Sequence, residues 1–191
     1  MTSKNQTDSS AQVLTSSFGP MAKVEAFSRL EYGSQVSHGA QIGKFCGIER
    51  DAFIMERAVV EDYVCVPSSV TVGEKAWIGP HVTFADGHGQ YPTAGERTHI
   101  GEGARIGANA IILCGVSIGR YAVIGPGCLV TQDVQDFARI TASSSQQDGW
   151  VCQCGKPLSL PLQGDKRATC SCGRSYAVSD GQLTRFTQLG E

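Results

Sequence analysis

A six-residue repeat of apolar residues constrains the fold of this chain more than any other feature. Every sixth residue is apolar from Val24 to Phe84, and the series resumes at Ile100 and ends at Val130. The residue two places earlier is small or β-branched throughout. Ordinary amphipathic strands would show a period of two without this fixed phase. The repeat predicts an all-β chain, folded as a left-handed parallel β-helix whose coils take about 18 residues each.

Glycine often follows the large aliphatic residue of the repeat, as at Gly43, Gly73 and Gly107. A triangular coil needs sharp corners with left-handed backbone angles, which glycine adopts at little cost. The sequence therefore predicts that these glycines, or another permissive residue where glycine is missing, form the corners.

The repeat also predicts the domain organisation. The step from Phe84 to Ile100 is not a multiple of six, so residues 85–97 are predicted to leave the coil as a loop. We expect a β-helix domain over 21–140, a linker over 141–149 and a small module over 150–191. The first twenty residues are rich in Ser, Thr, Gln and Asn, and predict a disordered leader over 1–20.

The predicted loop carries the residues that best suit acyl transfer. His88 is the candidate general base, because a histidine near neutral pKa accepts the proton of an attacking amine or hydroxyl. Asp86 or Glu96 would orient it or anchor the substrate. His99 is a second candidate base, and His81 a candidate substrate contact across a subunit boundary. The alternative is a polar surface loop in which His88 only bonds a backbone carbonyl.

Two cysteine pairs near the end form a second candidate site. Cys152 and Cys154, then Cys170 and Cys172, are each separated by one residue and followed by glycine. Four thiolates on two tight turns suit tetrahedral zinc, which predicts a zinc-ribbon-like module with a structural ion. Two disulfides or four free thiols are the alternatives.

Charge and hydropathy argue against several kinds of partner and against a membrane or secreted location. The formal net charge is −2 with no cluster of basic residues, which argues against nucleic acid or an anionic membrane as partner. There is no run of about 18 apolar residues to span a membrane. The chain starts without the basic and apolar segments of a secretion signal, so we expect a cytoplasmic protein.

The segment from about 24 to 140 resembles the hexapeptide-repeat acyltransferases, above all in the run IGEGARIGANAIILCGVSIGRYAVIGPGCLVTQDV at 100–134. The resemblance implies a homotrimer that binds acetyl-CoA, its co-substrate, in the groove between neighbouring subunits. Gly107, Ala108, Gly125 and Pro126 match the positions that let the pantetheine arm approach. Gln132 stands where the family usually has lysine, which removes a charged contact to the CoA phosphates.

The C-terminal segment from Gly149 to Gly155, with the second cysteine pair, resembles the tail of nucleotide-sugar N-acetyltransferases of the UDP-2-acetamido-3-amino-2,3-dideoxy-glucuronate type. This implies transfer of an acetyl group to the amino group of a nucleotide-linked amino sugar. Here Asp86 replaces the asparagine of the family's Phe-Thr-Asn motif, and Asp86-Gly87-His88 resembles the loop of sugar O-acetyltransferases instead. A sugar O-acetyltransferase with His88 as general base is therefore the alternative. A non-catalytic scaffold, or a β-helix carbonic anhydrase using His81, His88 and His99, is a weaker one.

Overall fold

The computed structural model of the chain describes residues 6–85, 97–142 and 146–186. Its main body is a parallel β-helix with three faces, which confirms the predicted fold class. Strands on one face pair in register with strands one coil away: Val24 pairs with Ile42, Ile42 with Val60 and Val60 with Ile78. One regular coil therefore takes three steps of the repeat, one for each face.

The three faces are sheets A, B and C, followed by a small antiparallel sheet D. Sheet A contains Gln6–Thr7, Lys23–Val24, Gln41–Ile42, Val59–Val60, Trp77–Ile78, Arg105–Ile106, Val123–Ile124, Ala138–Ile140, Gln147–Val151 and Pro157–Leu158. Sheet B contains Gln12–Val13, Arg29–Leu30, Gly47–Ile48, Cys65–Val66, Thr83–Ala85, Ile111–Leu113 and Leu129–Val130. Sheet C contains Ser17–Phe18, Gln35–Val36, Phe53–Ile54, Val70–Val72, Thr98–Ile100 and Ser117–Ile118. Sheet D contains Lys166–Thr169, Ser175–Ser179 and Gln182–Phe186.

The repeat positions form the core, as the sequence predicts. The aliphatic residues from Val24 to Val130 are buried, with Phe84 only partly buried against them, and the small residues two places earlier are buried as well. Each aliphatic side chain stacks on its equivalent in the next coil. Burying one such side chain contributes about 1.5–3 kcal/mol, so the stack supplies most of the stability of the β-helix.

The corners differ from the prediction. Left-handed backbone angles occur immediately before the small inward residue rather than after the aliphatic one, and most of the residues that adopt them are not glycine. They are Met21, Phe27, Gly33, Gly39, Phe45, Asp51, Arg57, Tyr63, Ser69, Lys75, His81, Gly103, Asn109, Gly115, Tyr121, Gly127 and Phe137.

Close approach between coils explains the glycines that follow the aliphatic residues. A Cβ on Gly73 would lie 2.5 Å from the carbonyl oxygen of Ile100 in the next coil, and one on Gly107 would lie 2.5 Å from the nitrogen of Pro126. Side chains do not tolerate such contacts with a backbone. These glycines are needed because the coils touch there, and the prediction that they supply the left-handed angle is wrong.

The start of the β-helix departs from the strict six-residue step. Residues 1–20 are predicted to be a disordered leader, but residues 6–18 instead form a further coil, in which Thr7 pairs with Val24 and Val13 with Leu30. A regular coil would place Gln6 beside Val24, so this coil is shorter by one residue. Counting back in sixes from Val24 therefore reaches Gln12 rather than Val13, which hides the coil in the sequence.

The segment predicted as a linker, 141–149, also takes part in the fold. The strand Gln147–Val151 pairs antiparallel with Ala138–Ile140 and extends sheet A beyond the last coil. A second apolar cluster, which includes Phe137, Trp150 and Tyr176, joins this strand to sheet D. No helix in the described part of the chain is long and apolar enough to cross a membrane.

Candidate functional site

The four residues matched to the cofactor groove lie together at one corner, where the chain passes from sheet A to sheet B. Gly107 and Ala108 stand one coil below Gly125 and Pro126, and the backbone nitrogen of Gly127 donates to the carbonyl of Ala108 at 2.9 Å. Pro126 and Gly127 are exposed. A Cβ on Gly127 would have no described atom within 4 Å. This corner therefore presents small residues, with open space beside Gly127. Their role toward a cofactor stays a prediction.

His81 lies at the same corner, one coil below Asn109. It is exposed, and its ring stacks on Tyr63 with centroids 4.8 Å apart and planes 4° from parallel. The column continues downward through Phe45 and Phe27, each ring 5.0 Å from the next. We call Phe27, Phe45, Tyr63 and His81 the aromatic column. It holds the His81 ring on its lower face, beneath the coils that carry Ala108 and Pro126.

His99 lies on a different surface. It is exposed on sheet C, where it pairs with Thr71 on one side and Ser117 on the other. It lines a groove of about 450 Å³ together with Ser117, Gly119, Arg120, Asp133 and further residues of the last two turns. The structure thus brings His81 to the cofactor-matched residues and leaves His99 on another face of the same chain.

Arg120 forms one wall of the sheet C groove, and sequence reasoning does not single it out. Its guanidinium donates to Asp136 Oδ2 from Nε at 2.8 Å and from Nη2 at 2.6 Å, and its backbone nitrogen donates to Asp136 Oδ1 at 2.6 Å. Asp136 raises the pKa of Arg120 through these bonds. On the other side, a recess of about 360 Å³ separates Arg120 from Gln182 and Thr184 of sheet D.

The sequence places Arg120 beside Asp136 only when the last turn is read two residues out of the regular register. Ile124 pairs with Ile140, whereas a regular coil would place Ala142 beside it, so the last turn is two residues shorter than a regular coil. Arg120 and Asp136 have the same spacing as Ile124 and Ile140, and they meet only because of this shortening. A search at the period of the earlier coils does not place them together.

The predicted base His88, its partner Asp86 and the predicted anchor Glu96 lie outside the described residues. The flanking register is described: Phe84 pairs with Ile112, whereas a regular coil would place Glu102 beside it. Ten residues are therefore added to this coil (112 − 102), between Ala85 and Arg97. The three roles assigned there stay predictions.

The four C-terminal cysteines do come together. Their sulfur atoms all lie within 4.8 Å of one another. Among the described residues, this is the only group of three or more His, Cys, Asp and Glu side chains close enough to hold a metal ion. His81 and His99 take no part in such a group.

Comparison with known proteins supports the repeat. Residues 97–132 match the family model described as bacterial transferase hexapeptide (six repeats). The chain is 38% identical over 95 residues to dTDP-3-amino-3,6-dideoxy-alpha-D-galactopyranose 3-N-acetyltransferase of Aneurinibacillus thermoaerophilus, covering 50% of this chain and 48% of that one. It is 30% identical over 136 residues to the bifunctional protein GlmU of Alkalilimnicola ehrlichii, covering 69% of this chain and 28% of that one. The chain thus spans half or less of the length of these two relatives.

Solved structures show more distant similarity. The acetyltransferase domain of PglB from Neisseria gonorrhoeae has a TM-score of 0.45 at 16% identity, covering 75% of this chain and 57% of that chain. PerB from Caulobacter crescentus, solved with CoA and GDP-perosamine, has a TM-score of 0.42 at 20% identity, covering 76% and 55%. These values are too low to carry a residue's role over to this chain. The six-residue repeat builds the coils of the β-helix, and its segment 97–132 is the part that matches the family model.

Proposed function

We propose that the chain is an acetyl-CoA-dependent N-acetyltransferase that acts on the amino group of a nucleotide-linked amino sugar. The observation that carries the proposal is the 38% identity, over half of the chain, to an enzyme named as the 3-N-acetyltransferase of a dTDP-linked 3-amino sugar. This relative favours nitrogen over oxygen as the atom that receives the acetyl group. Since the match covers 48% of that enzyme, the acceptor sugar itself is part of the proposal.

The corner between sheets A and B suits the acetyl donor. A pantetheine arm is long and narrow, and it needs a surface on which few side chains project. Gly107, Ala108, Gly125 and Pro126 provide such a surface on consecutive coils, and the absence of a Cβ on Gly127 widens it. In this proposal the thioester lies along the corner. Gln132 replaces the lysine of the family, so no charged side chain at that position contacts the CoA phosphates.

The acceptor amine needs orientation and the loss of one proton. Holding the amine in line with the thioester carbon supplies much of the rate, because it replaces a bimolecular encounter. His88 would take the proton from the attacking nitrogen, with Asp86 fixing the imidazole. Glu96, His81 and His99 are the proposed substrate contacts. Of these, only His81 is described at the corner that carries the proposed donor site, so it is the one we expect to contact substrate there, across the subunit boundary.

We further propose that the active unit is a homotrimer. Several large apolar side chains are exposed in the single chain, among them Phe27, Tyr63, Ile111 and Leu129. Single exposed apolar residues are common, but a column of rings beside a face with Ile111 and Leu129 is a surface that a second copy can cover. Sedimentation or light scattering gives the mass directly, and a monomer that is active would contradict this part.

The test is acetyl transfer from acetyl-CoA, read by the mass of the sugar nucleotide product. A dTDP-linked 3-amino-3,6-dideoxyhexose is the first acceptor, and the same sugar with a 3-hydroxyl is its control. We expect the amino sugar to gain one acetyl group and the hydroxyl sugar to gain none. Acetylation of the hydroxyl sugar alone would contradict the proposed N-transfer, and no product from a panel of amino sugar nucleotides would contradict the activity.

The role of the base is tested with a matched pair of histidine variants. His88→Asn removes the proposed base, and His38→Asn changes a histidine of the repeat to which no role is assigned. An amine is a good nucleophile once deprotonated, so we expect His88→Asn to lower kcat by about 10²-fold rather than abolish it. His38→Asn should leave kcat unchanged. Equal effects of the two variants would remove His88 from the mechanism.

A further inference from the structure

The four C-terminal cysteines lie on two turns of the same construction. In the first turn, residues 152–156, the backbone nitrogen of Cys152 donates to the carbonyl of Lys156 at 2.8 Å. In the second, residues 170–174, the nitrogen of Cys170 donates to the carbonyl of Arg174 at 2.8 Å. The glycine after the second cysteine has φ of +86° in one and +87° in the other. We call these two turns the cysteine knuckles. Such duplication is expected where two loops supply equivalent ligands to one centre.

The sulfur atoms have the spacing of a tetrahedral thiolate site. Cys152 Sγ lies 3.4 Å from Cys172 Sγ, and Cys154 Sγ lies 3.6 Å from Cys170 Sγ. Four sulfurs bonded to zinc at about 2.3 Å lie about 3.8 Å apart. A disulfide bond is about 2.05 Å long, so the observed contacts match shared coordination more closely than covalent pairs. Each close contact joins one knuckle to the other, so a metal ion would tie the two together.

The charges around the sulfur atoms fit the same occupant. Four thiolates with one Zn²⁺ carry a net charge of −2, and each knuckle ends in a basic residue, Lys156 or Arg174. Arg174 Nη1 lies 3.3 Å from Cys172 Sγ, where it donates to the sulfur. The Tyr176 hydroxyl accepts from the backbone nitrogen of Gln153 at 3.0 Å and lies 3.2 Å from Cys152 Sγ, to which it can donate. Donors placed around the sulfurs stabilise thiolates and orient them toward a metal.

The residues around the knuckles are too few to fold well by themselves. Chains below about 40 residues usually need a metal or disulfides, because they bury too little apolar surface. The segment that follows the last coil, residues 147–186, lies at that limit, and its core is built mainly on Trp150 and Tyr176. Tyr176 contacts the Phe137 ring edge-on at 5.6 Å, and Phe137 stacks on Tyr121 at 5.5 Å. These three rings join the segment to the last coils of the β-helix.

We propose that Cys152, Cys154, Cys170 and Cys172 bind one zinc ion as four thiolates, and that this ion holds residues 147–186 folded against the end of the β-helix as a cap. The site is closed by four protein ligands and leaves no position for water, so the ion acts on folding and not on chemistry. The proposal does not depend on the acetyltransferase activity. It holds for any reaction that the β-helix catalyses.

The first experiment measures metal in the purified full-length chain. We expect one zinc ion per chain in the native protein and in Cys65→Ser, which changes an exposed cysteine outside the cluster. Cys154→Ser and Cys170→Ser should lose it. Iron in place of zinc would overturn the metal assignment, and zinc content unchanged in the two cluster variants would overturn the site. Alkylation in denaturant with chelator should reach all eight cysteines; if only four react, the pairs are disulfides and the proposal fails.

The second experiment tests the cap. The chain has two tryptophans, of which Trp150 is 1% exposed in the cap and Trp77 lies in the β-helix. In a Trp77→Phe background, removal of zinc by a chelator should shift the Trp150 emission to longer wavelength, and added zinc should restore it. Far-UV circular dichroism of the β-helix should persist throughout. If zinc is removed and Trp150 emission does not move, the metal does not hold the cap.

Discussion

The β-helix needs glycine for two reasons, close contact between coils and left-handed backbone angles, and two glycines on the same edge of the helix separate them. Gly73 and Gly39 both lie where sheet C passes to sheet A. Gly73 has ordinary backbone angles, but a Cβ on it would lie 2.5 Å from the carbonyl oxygen of Ile100 and 2.9 Å from the nitrogen of Glu102. Gly39 has φ of +66°, and a Cβ on it would meet only the Arg57 side chain at 3.4 Å, an ordinary contact. Replacement by alanine therefore probes contact at the first position and conformation at the second.

The structure gives the expected size of each effect. With alanine at position 73, the next coil would have to move by about 0.9 Å (3.4 − 2.5) to reach ordinary contact. This move would also stretch the 2.7 Å hydrogen bond that the backbone nitrogen of Gly73 donates to the carbonyl of Ile100. Overpacking against a backbone that cannot move aside costs about 3 kcal/mol. At Gly39 the cost is that of a left-handed alanine, about 1 kcal/mol. Gly39→Asn should cost less than Gly39→Ala, because asparagine tolerates this region better.

Urea unfolding followed by circular dichroism measures these differences. We expect the midpoint to fall about three times as far for Gly73→Ala as for Gly39→Ala, with Gly39→Asn between Gly39→Ala and the unmodified chain. Both glycines lie where sheet C passes to sheet A, so the two alanine variants differ mainly in the contact of the Cβ and in the backbone angle. If Gly39→Ala is as destabilising as Gly73→Ala, the left-handed angle is the dominant requirement and the contact argument is wrong.

Two further predictions concern contacts outside the core. Phe45→Ala removes one of the two inner rings of the aromatic column, which stacks on Phe27 and Tyr63 at 5.0 Å each. We expect a loss of about 2 kcal/mol in the free energy of unfolding. No fall in the thermal or urea midpoint would show that the stacked rings do not stabilise the coils. Asp148 accepts from Arg139 Nε at 2.8 Å and from the Thr141 hydroxyl, and Asp148→Asn should cost about 1 kcal/mol at neutral pH. Partial burial raises the pKa of Asp148, but the bonds from Thr141 and Arg139 outweigh it and leave the pKa below 3.8. The stability that Asp148 contributes is therefore present above pH 3.8 and lost as pH falls through the lowered pKa. The difference in unfolding free energy between Asp148→Asn and the unmodified chain should vanish in acid. A difference that persists there would show that the charge of Asp148 does not stabilise the fold.

The sequence predicts the β-helix well because one physical requirement repeats in every coil. An inward position must be apolar, and its neighbour near the corner must be small, so a period of six identifies both. The requirement for a left-handed corner leaves a weaker signal, because residues as different as Phe45, Asp51 and Arg57 adopt it. Gly73 and Gly107 are glycine for a different reason, since adjacent coils leave no space there for a Cβ.

The candidate site is harder to predict because it depends on breaks in the period. A shortened turn brings Asp136 to Arg120, and the position of His99 on sheet C follows from the ten residues added before it. The sequence shows that residues have been added or removed, but it does not show on which face the chain resumes. Sequence alone therefore does not show that His81 lies at the corner of the cofactor-matched residues while His99 lies on sheet C, which the register establishes.

The shortened last turn ends the coils of the β-helix. In every earlier coil the aliphatic stack is covered by the next coil, but the last coil has none above it. In the shortened turn, Ile140 pairs with Ile124 and Val134 bridges to Ile118. Both Ile140 and Val134 are buried, at 5% and 7% exposure. These two side chains continue the buried stack, and the antiparallel strand Gln147–Val151 then pairs with the last strand of the coils in sheet A. The unpaired backbone groups at the edge of a sheet can pair with another chain.

The cap therefore protects sheet A at this end, and chains that lose it should expose an edge with which a second molecule can pair.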